Sequence, residues 1–155
     1  MAQIRTSYLS ASLEDYLEAI LNLSADGGHA HSKDIAEKLD IARPSVTGAL
    51  RTLKNKGLAN YEPYGSVTLT RAGRAAAQKV ARKHDIIKSF FVDVLGVNAQ
   101  VAQQAACKAE HAVGPEVIGK LLKFSQFVSG QSKSPDNLIR RFRKFCSQAK
   151  DDTKA

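Results

Sequence analysis

With 155 residues, 43% of them hydrophobic and 25% charged, the chain reads as a soluble globular protein with material for only one or two small units around a real core. Lys and Arg number 23 against 15 Asp and Glu, a formal charge of +8, so its field attracts polyanions such as nucleic acid or an anionic membrane surface, although a solubilising surface gives the same count. Cys107 and Cys146 are too few for a disulfide framework, no signal-like run opens the sequence, and no stretch approaches the roughly 18 apolar residues of a membrane span. The expected location is therefore the reducing cytoplasm, with no membrane partner.

Leu13, Leu17, Ile20 and Leu21 recur at helical spacing after Ser12, a candidate N-cap, and Gly27-Gly28 ends the pattern, which predicts a helix over about 12–25. Ser32 is the candidate cap of a shorter helix with Ile35, Ala36 and Leu39 as its apolar residues. The link Asp40-Ile41-Ala42 leads to a third helix that tolerates Pro44 in its first turn and runs to Gly57, a helix-turn-helix order. Val46, Leu50 and Leu53 form its inward line, while Ser45, Thr47, Gly48, Arg51 and Thr52 fall largely on other faces. Small polar residues near a helix N-terminus can approach base edges, and Arg51 and Lys54 can reach bases or phosphates; an ordinary solvated amphipathic helix carries the same pattern.

Residues 58–70 are predicted to form two short strands around Pro63-Tyr64-Gly65-Ser66, with Tyr61, Val67 and Leu69 suited to a small hairpin. Helix, turn, helix, hairpin is the winged-helix order. Arg43, Arg51, Lys54, Lys56, Arg71 and Arg74 gather in this stretch, where a wing and a recognition helix would meet phosphates, and the expected partner is DNA.

A long helix is expected from Thr70, with Val80, His84, Ile87, Phe91 and Val94 on one line until Gly96. His84 interrupts that apolar stripe, as either a hydrogen-bonded core residue or a ligand with partners elsewhere. A fifth helix, about Asn98 to Ala112, puts Cys107, Glu110 and His111 at i, i+3 and i+4 on one face, a thiol, carboxylate and imidazole half-site for a transition metal or a buried thiol beside a surface Glu and His. Asp15 and Glu18 likewise share a face of the first helix, where N-terminal carboxylates also suit the helix dipole. Gly130 to Pro135 reads as a linker, with Ser134 and Pro135 opening a last helix over Asp136 to Lys150 whose apolar residues are Leu138, Ile139, Phe142 and Phe145. His29, His31 and Cys146 are expected to be loop, surface or packing residues.

The segments LSASLEDYLEAI, SKDIAEKL, RPSVTGALRTLKNKGL, YEPYGSVTLT, RKHDIIKSFFVDVLG and ACKAEHAV together resemble the DtxR/MntR family of iron- and manganese-dependent repressors, from about residue 9 to 125. The resemblance is to a short form without an SH3-like domain. It implies a mainly α protein: a winged helix-turn-helix DNA-binding domain with a β-hairpin wing over 1–75, then an all-α metal-binding and dimerisation domain with a helical tail over 76–155. Carried over by position, the family's metal ligands fall on Asp15, Glu18, His84, Cys107, Glu110 and His111. Expected contacts with an inverted-repeat operator, bound by a homodimer, fall on Arg43, Ser45, Thr47, Arg51, Lys54, Tyr64 and Ser66.

Iron-type members carry methionine where Asp15 stands and cysteine at Cys107, whereas manganese-type members carry aspartate and glutamate there, so this sequence is a hybrid. Fe(II) suits both halves of the donor set and is favoured over Mn(II), with Zn(II), Co(II) or Ni(II) able to bind in vitro. Lys88 and Gln103 occupy positions that would otherwise help an ancillary site, which is therefore expected to be absent. The resemblance implies a repressor of metal-uptake genes; a winged-helix regulator without a metal corepressor is the alternative. An enzyme is not expected, because six protein ligands leave little room for substrate.

Overall fold

The computed structural model describes residues 9–25, 27–130 and 137–149. The chain divides into two compact units, Met1–Ala81 and Arg82–Ala155. The fold class is the expected one: helices throughout, with a single two-stranded antiparallel hairpin among the described residues.

The first unit is built from α1 (Ala11–Leu23), α2 (Ser32–Leu39), α3 (Arg43–Asn55), β1 (Ala59–Asn60), β2 (Thr68–Leu69) and the start of α4 (Arg71–Ser89). The cap of α1 is Ser10 rather than the expected Ser12, because the Ser10 hydroxyl is the group that accepts the Leu13 N–H, at 3.3 Å. At α2 the cap position falls on His31 rather than Ser32, and the Asp34 carboxylate reaches back to accept the His31 N–H at 3.3 Å. Asp40 closes α2 in the left-handed region (φ 53°), with the Ile41 N–H bonded to Ala36 O at 3.0 Å. Aspartate tolerates that conformation, so the chain turns into α3 within three residues. Pro44 sits in the first turn of α3, where no N–H is needed.

The apolar periodicity is spent on one core: Leu17, Ile20, Ile35, Val46, Leu50, Leu53 and Val67 are fully buried, each such burial being worth about 1.5–3 kcal/mol. The hairpin pairs Ala59 with Leu69 and Asn60 with Thr68. A bridge from the Val67 N–H to Ala30 O, 2.7 Å, ties it to the segment before α2. Its base is clamped by Thr70, whose hydroxyl donates to Gly57 O at 2.7 Å while accepting the Gly73 N–H at 3.0 Å.

The second unit holds the rest of α4, a π-helical turn (Phe90–Val94), α5 (Ala99–Ala109), α6 (Pro115–Gly130) and α7 (Leu138–Gln148). Asn98 caps α5, accepting from the Gln100 and Val101 N–H groups. The expected helix to Ala112 stops earlier: the Ala112 and Val113 N–H groups both bond Ala109 O, so Glu110 and His111 lie in the turn that closes α5. α6 has no counterpart among the expected elements, although Pro115 opens it in a favoured position. α7 is capped by Asn137, which accepts the Ile139 N–H at 2.9 Å; the linker and the Ser134-Pro135 start expected before it lie outside the described residues. No helix among the described residues is long and apolar enough to cross a membrane.

Gly73 is where α4 passes closest to the hairpin, since a Cβ there would stand 1.7 Å from Leu58 O, an overlap with backbone that no rotamer change relieves. Gly73→Ala is therefore expected to cost about 2–3 kcal/mol, read as a lower urea midpoint with an unchanged slope. A midpoint equal to that of the parent protein would contradict this packing.

Candidate metal centre

Four of the six expected ligands belong to the second unit, and the structure brings them together. His84 projects from α4, Cys107 from the last turn of α5, and Glu110 and His111 from the turn that follows. Glu110 is the hub. Its Oε2 lies 2.6 Å from His84 Nδ1, and its Oε1 lies 3.3 Å from His111 Nε2. The Cys107 Sγ stands 3.9 Å from the same His84 Nδ1.

Glu110 is 1% exposed and His84 7%. Removing a carboxylate from water costs several kcal/mol unless charged or hydrogen-bonding partners compensate, and here both oxygens face imidazole nitrogens. Two further groups brace the cluster. Lys83, next to His84 in sequence, donates from Nζ to the Glu110 backbone carbonyl at 3.3 Å. The Gln103 side-chain amide donates to Cys107 Sγ at 3.8 Å. The only signal for Lys83 in the sequence is its place beside His84, and Gln103 is expected there only as a residue that does not complete an ancillary site.

The remaining two expected ligands lie in the first unit. Asp15 and Glu18 are both half-buried and stand three residues apart on α1. Tyr16 between them turns into the core, and burial pushes its hydroxyl pKa up from the ordinary value.

The donor chemistry of the second unit fits a divalent transition ion. One thiol, one carboxylate and two imidazoles are linked in a chain of contacts, Cys107 to His84, His84 to Glu110 and Glu110 to His111, a set of mixed hardness drawn from α4, α5 and the turn after it.

The expected DNA-facing residues lie on the first unit. Arg43, Ser45 and Arg51 are exposed on α3 and Thr47 is half-buried, its hydroxyl donating back to Arg43 O at 3.4 Å. Lys54 is placed differently from a free cation: its ammonium sits 2.7 Å from the Glu62 carboxylate and 2.9 Å from Tyr61 O, joining α3 to the hairpin. Glu62 carried no signal in the sequence, because its partner is eight residues away on another element. Ser66 is exposed, and Tyr64 at the hairpin tip is fully exposed with its backbone in the left-handed region (φ 64°).

Residues 8–67 match the family model of the iron dependent repressor N-terminal DNA binding domain, and residues 70–138 that of the iron dependent repressor metal binding and dimerisation domain. An HTH-type transcriptional regulator of Methanocaldococcus jannaschii is 38% identical over 119 residues, covering 76% of this chain and 95% of the relative. The transcriptional regulator MntR of Salmonella typhimurium is 32% identical over 124 residues, covering 80% of this chain and 78% of its own length. Among solved structures, a manganese-dependent transcriptional repressor in complex with manganese superposes with a TM-score of 0.68 at 28% identity, over 74% of this chain. The manganese regulator SloR gives 0.66 at 30% identity, again over 74% of this chain. The chain spans about half the length of those two solved chains, 53% and 54%. With two adjoining domain models matched in order and relatives of similar length above 30% identity, the chain belongs to the DtxR/MntR family of metal-dependent transcriptional repressors.

Proposed function

We propose that this protein is a homodimeric repressor whose grip on operator DNA is set by a divalent metal ion, and that it controls metal-uptake genes from the cytoplasm without catalysing a reaction. The observation that carries this reading is the Glu110 cluster, a buried carboxylate held between His84 and His111 with Cys107 beside it, in a chain whose other unit is a winged helix. His84, Cys107, Glu110 and His111 would hold the ion, with Asp15 and Glu18 of α1 completing the set. A bound divalent cation supplies positive charge that offsets the carboxylates and thiolate and cross-links the elements that carry them.

The chain's own residues do the rest. Lys83 and Gln103 orient Glu110 and Cys107, in the way outer groups hold a ligand's rotamer and tune its donor strength. Arg43, Ser45, Thr47 and Arg51 on α3 read the major groove, with Tyr64 and Ser66 of the wing at the phosphate backbone. Lys54 reaches the DNA only by releasing Glu62, and otherwise sets the angle between α3 and the wing. A dimer presenting two such units recognises an inverted repeat. The thiolate of Cys107 with two imidazoles favours Fe(II) over Mn(II).

An anaerobic fluorescence-anisotropy titration of an inverted-repeat operator with Fe(II), Mn(II), Zn(II) or chelator tests this. Metal is expected to tighten binding at least tenfold, a coupling of about 1.4 kcal/mol or more. Cys107→Ala should reduce the Fe(II) effect more than the Mn(II) effect, and Cys107→Glu should move the ranking towards Mn(II). Affinity indifferent to metal in the parent protein would overturn the switch while leaving the winged helix.

The wing gives a separate prediction, because a tyrosine in the left-handed region pays a conformational cost that glycine avoids. Tyr64→Gly is expected to leave thermal stability equal or slightly raised and to weaken operator binding about tenfold, across specific and non-specific sequences alike. Unchanged affinity would remove Tyr64 from the interface.

A further inference from the structure

The wing is nearly devoid of charge. From Leu58 to Thr70 the sequence holds a single charged residue, Glu62, and it is an acid in a segment set against phosphates. Its backbone builds the wing tip: the Gly65 N–H donates to Glu62 O at 3.0 Å, with Pro63 in the second position of the turn and Tyr64 in the third with its positive φ. Its side chain leaves that turn and reaches α3. An uncompensated carboxylate here would repel a duplex, because exposed charges act over about 8 Å at physiological ionic strength and Glu62 stands two residues from Tyr64.

Lys54 supplies the compensation. Its ammonium lies 2.7 Å from Glu62 Oε1 and also donates to Tyr61 O at 2.9 Å, so two of its three N–H groups are spent on the wing. The pair is exposed, 47% for the Lys54 side chain and 77% for that of Glu62, and therefore adds little to folding stability. Its effect falls on DNA binding instead, because a cation in the last turn of α3, otherwise open to a phosphate, is tied down. For a phosphate to take Lys54, both bonds must break and the Glu62 carboxylate must be left bare beside a polyanion.

We infer that Glu62 is a specificity-determining residue, which holds the Lys54 ammonium on the wing while DNA is bound and so withholds one phosphate contact from every duplex. This rests on the groove and backbone contacts of the proposed function, and it places Lys54 within the protein rather than on DNA. Sequence-independent affinity comes almost wholly from neutralised phosphates, so one cation withheld lowers it directly. Operator affinity depends as well on α3 and the wing fitting together, and the pair fixes the wing against α3. Glu62 therefore lowers binding to any duplex while sharpening discrimination between them.

Fluorescence anisotropy tests the inference on the parent, Glu62→Ala and Lys54→Met, with an inverted-repeat operator and a scrambled duplex of equal length. Each is titrated between about 50 and 200 mM KCl, anaerobically with Fe(II) and again in chelator. Glu62→Ala frees the cation: affinity for the scrambled duplex should rise about threefold, the slope of log affinity against log salt should steepen by about 0.9, and the operator-to-scrambled ratio should fall. Lys54→Met bares the acid, so affinity for both duplexes should fall with the slope unchanged. A shallower slope in Lys54→Met puts Lys54 on a phosphate and overturns the inference, as does a Glu62→Ala variant with the parent's slope. Equal gains on both duplexes overturn it too, by removing the specificity. Both variants should keep the parent's urea midpoint, as expected of an exposed pair. Adding Lys54→Met to Glu62→Ala should cancel the steeper slope, which a general loosening of the wing would not do. The scrambled-duplex titration in chelator does not involve the metal switch, so failure of that switch leaves this result readable, whereas a parent that binds neither duplex overturns both.

Discussion

Everything in the second unit turns on one buried carboxylate. Glu110 is almost wholly removed from water although it stands at the C-terminal end of α5, between half-buried neighbours. Two imidazoles and a backbone contact hold it there: His84 from α4, His111 one residue on, and Lys83 on its own carbonyl oxygen. Removing either imidazole would take away part of what compensates a buried carboxylate, a costlier change than the loss of an exposed ion pair. The ligand set proposed for the metal is thus also the polar framework that joins α4 to α5. Each of its side chains already has a partner within the cluster, so a cation would replace contacts between donors with contacts to itself.

The first unit solves a different problem, that of holding a two-residue-wide hairpin in a fixed place. Strands this short have no independent stability. The wing is fastened by the Ala30–Val67 bridge, by the Lys54–Glu62 pair, and by Thr70 with the close passage of α4 at Gly73. Half of the Lys54 side chain is exposed, so the pair itself adds little stability, but its geometry sets where the wing tip stands relative to α3. For a surface that has to match a groove and its flanking phosphates together, position matters more than free energy.

How much of this was legible in the sequence follows from which forces are local. The order of α1 to α3 and the hairpin could be read because Leu17, Ile20, Val46, Leu50 and Leu53 repeat at helical spacing between unambiguous punctuation at Gly27, Pro44 and Gly57. The gathering of His84 with Cys107, Glu110 and His111 followed partly from spacing and mostly from family resemblance. Caps were misplaced at Ser12 and Ser32 because adjacent polar residues compete for one position and only geometry decides between them. α6 was legible too, since Val117, Leu121, Phe124 and Val128 recur at helical spacing after Pro115, although no helix is expected there from the punctuation alone. Lys83 and Glu62 were invisible because their partners come from other elements, at separations set by the fold.

The interior of the second unit is sparse among the described residues, because Phe124, Phe127 and Phe145 are exposed while only smaller apolar side chains such as Ile118 and Val128 are buried. Because its own residues would hold the metal, the unit's folding is linked by mass action to metal concentration through Glu110 and its imidazoles. Metal then adds to the stability of a unit that is sparsely packed by itself, so a modest binding free energy can shift its population of ordered states, while the densely packed winged helix stays folded in either condition.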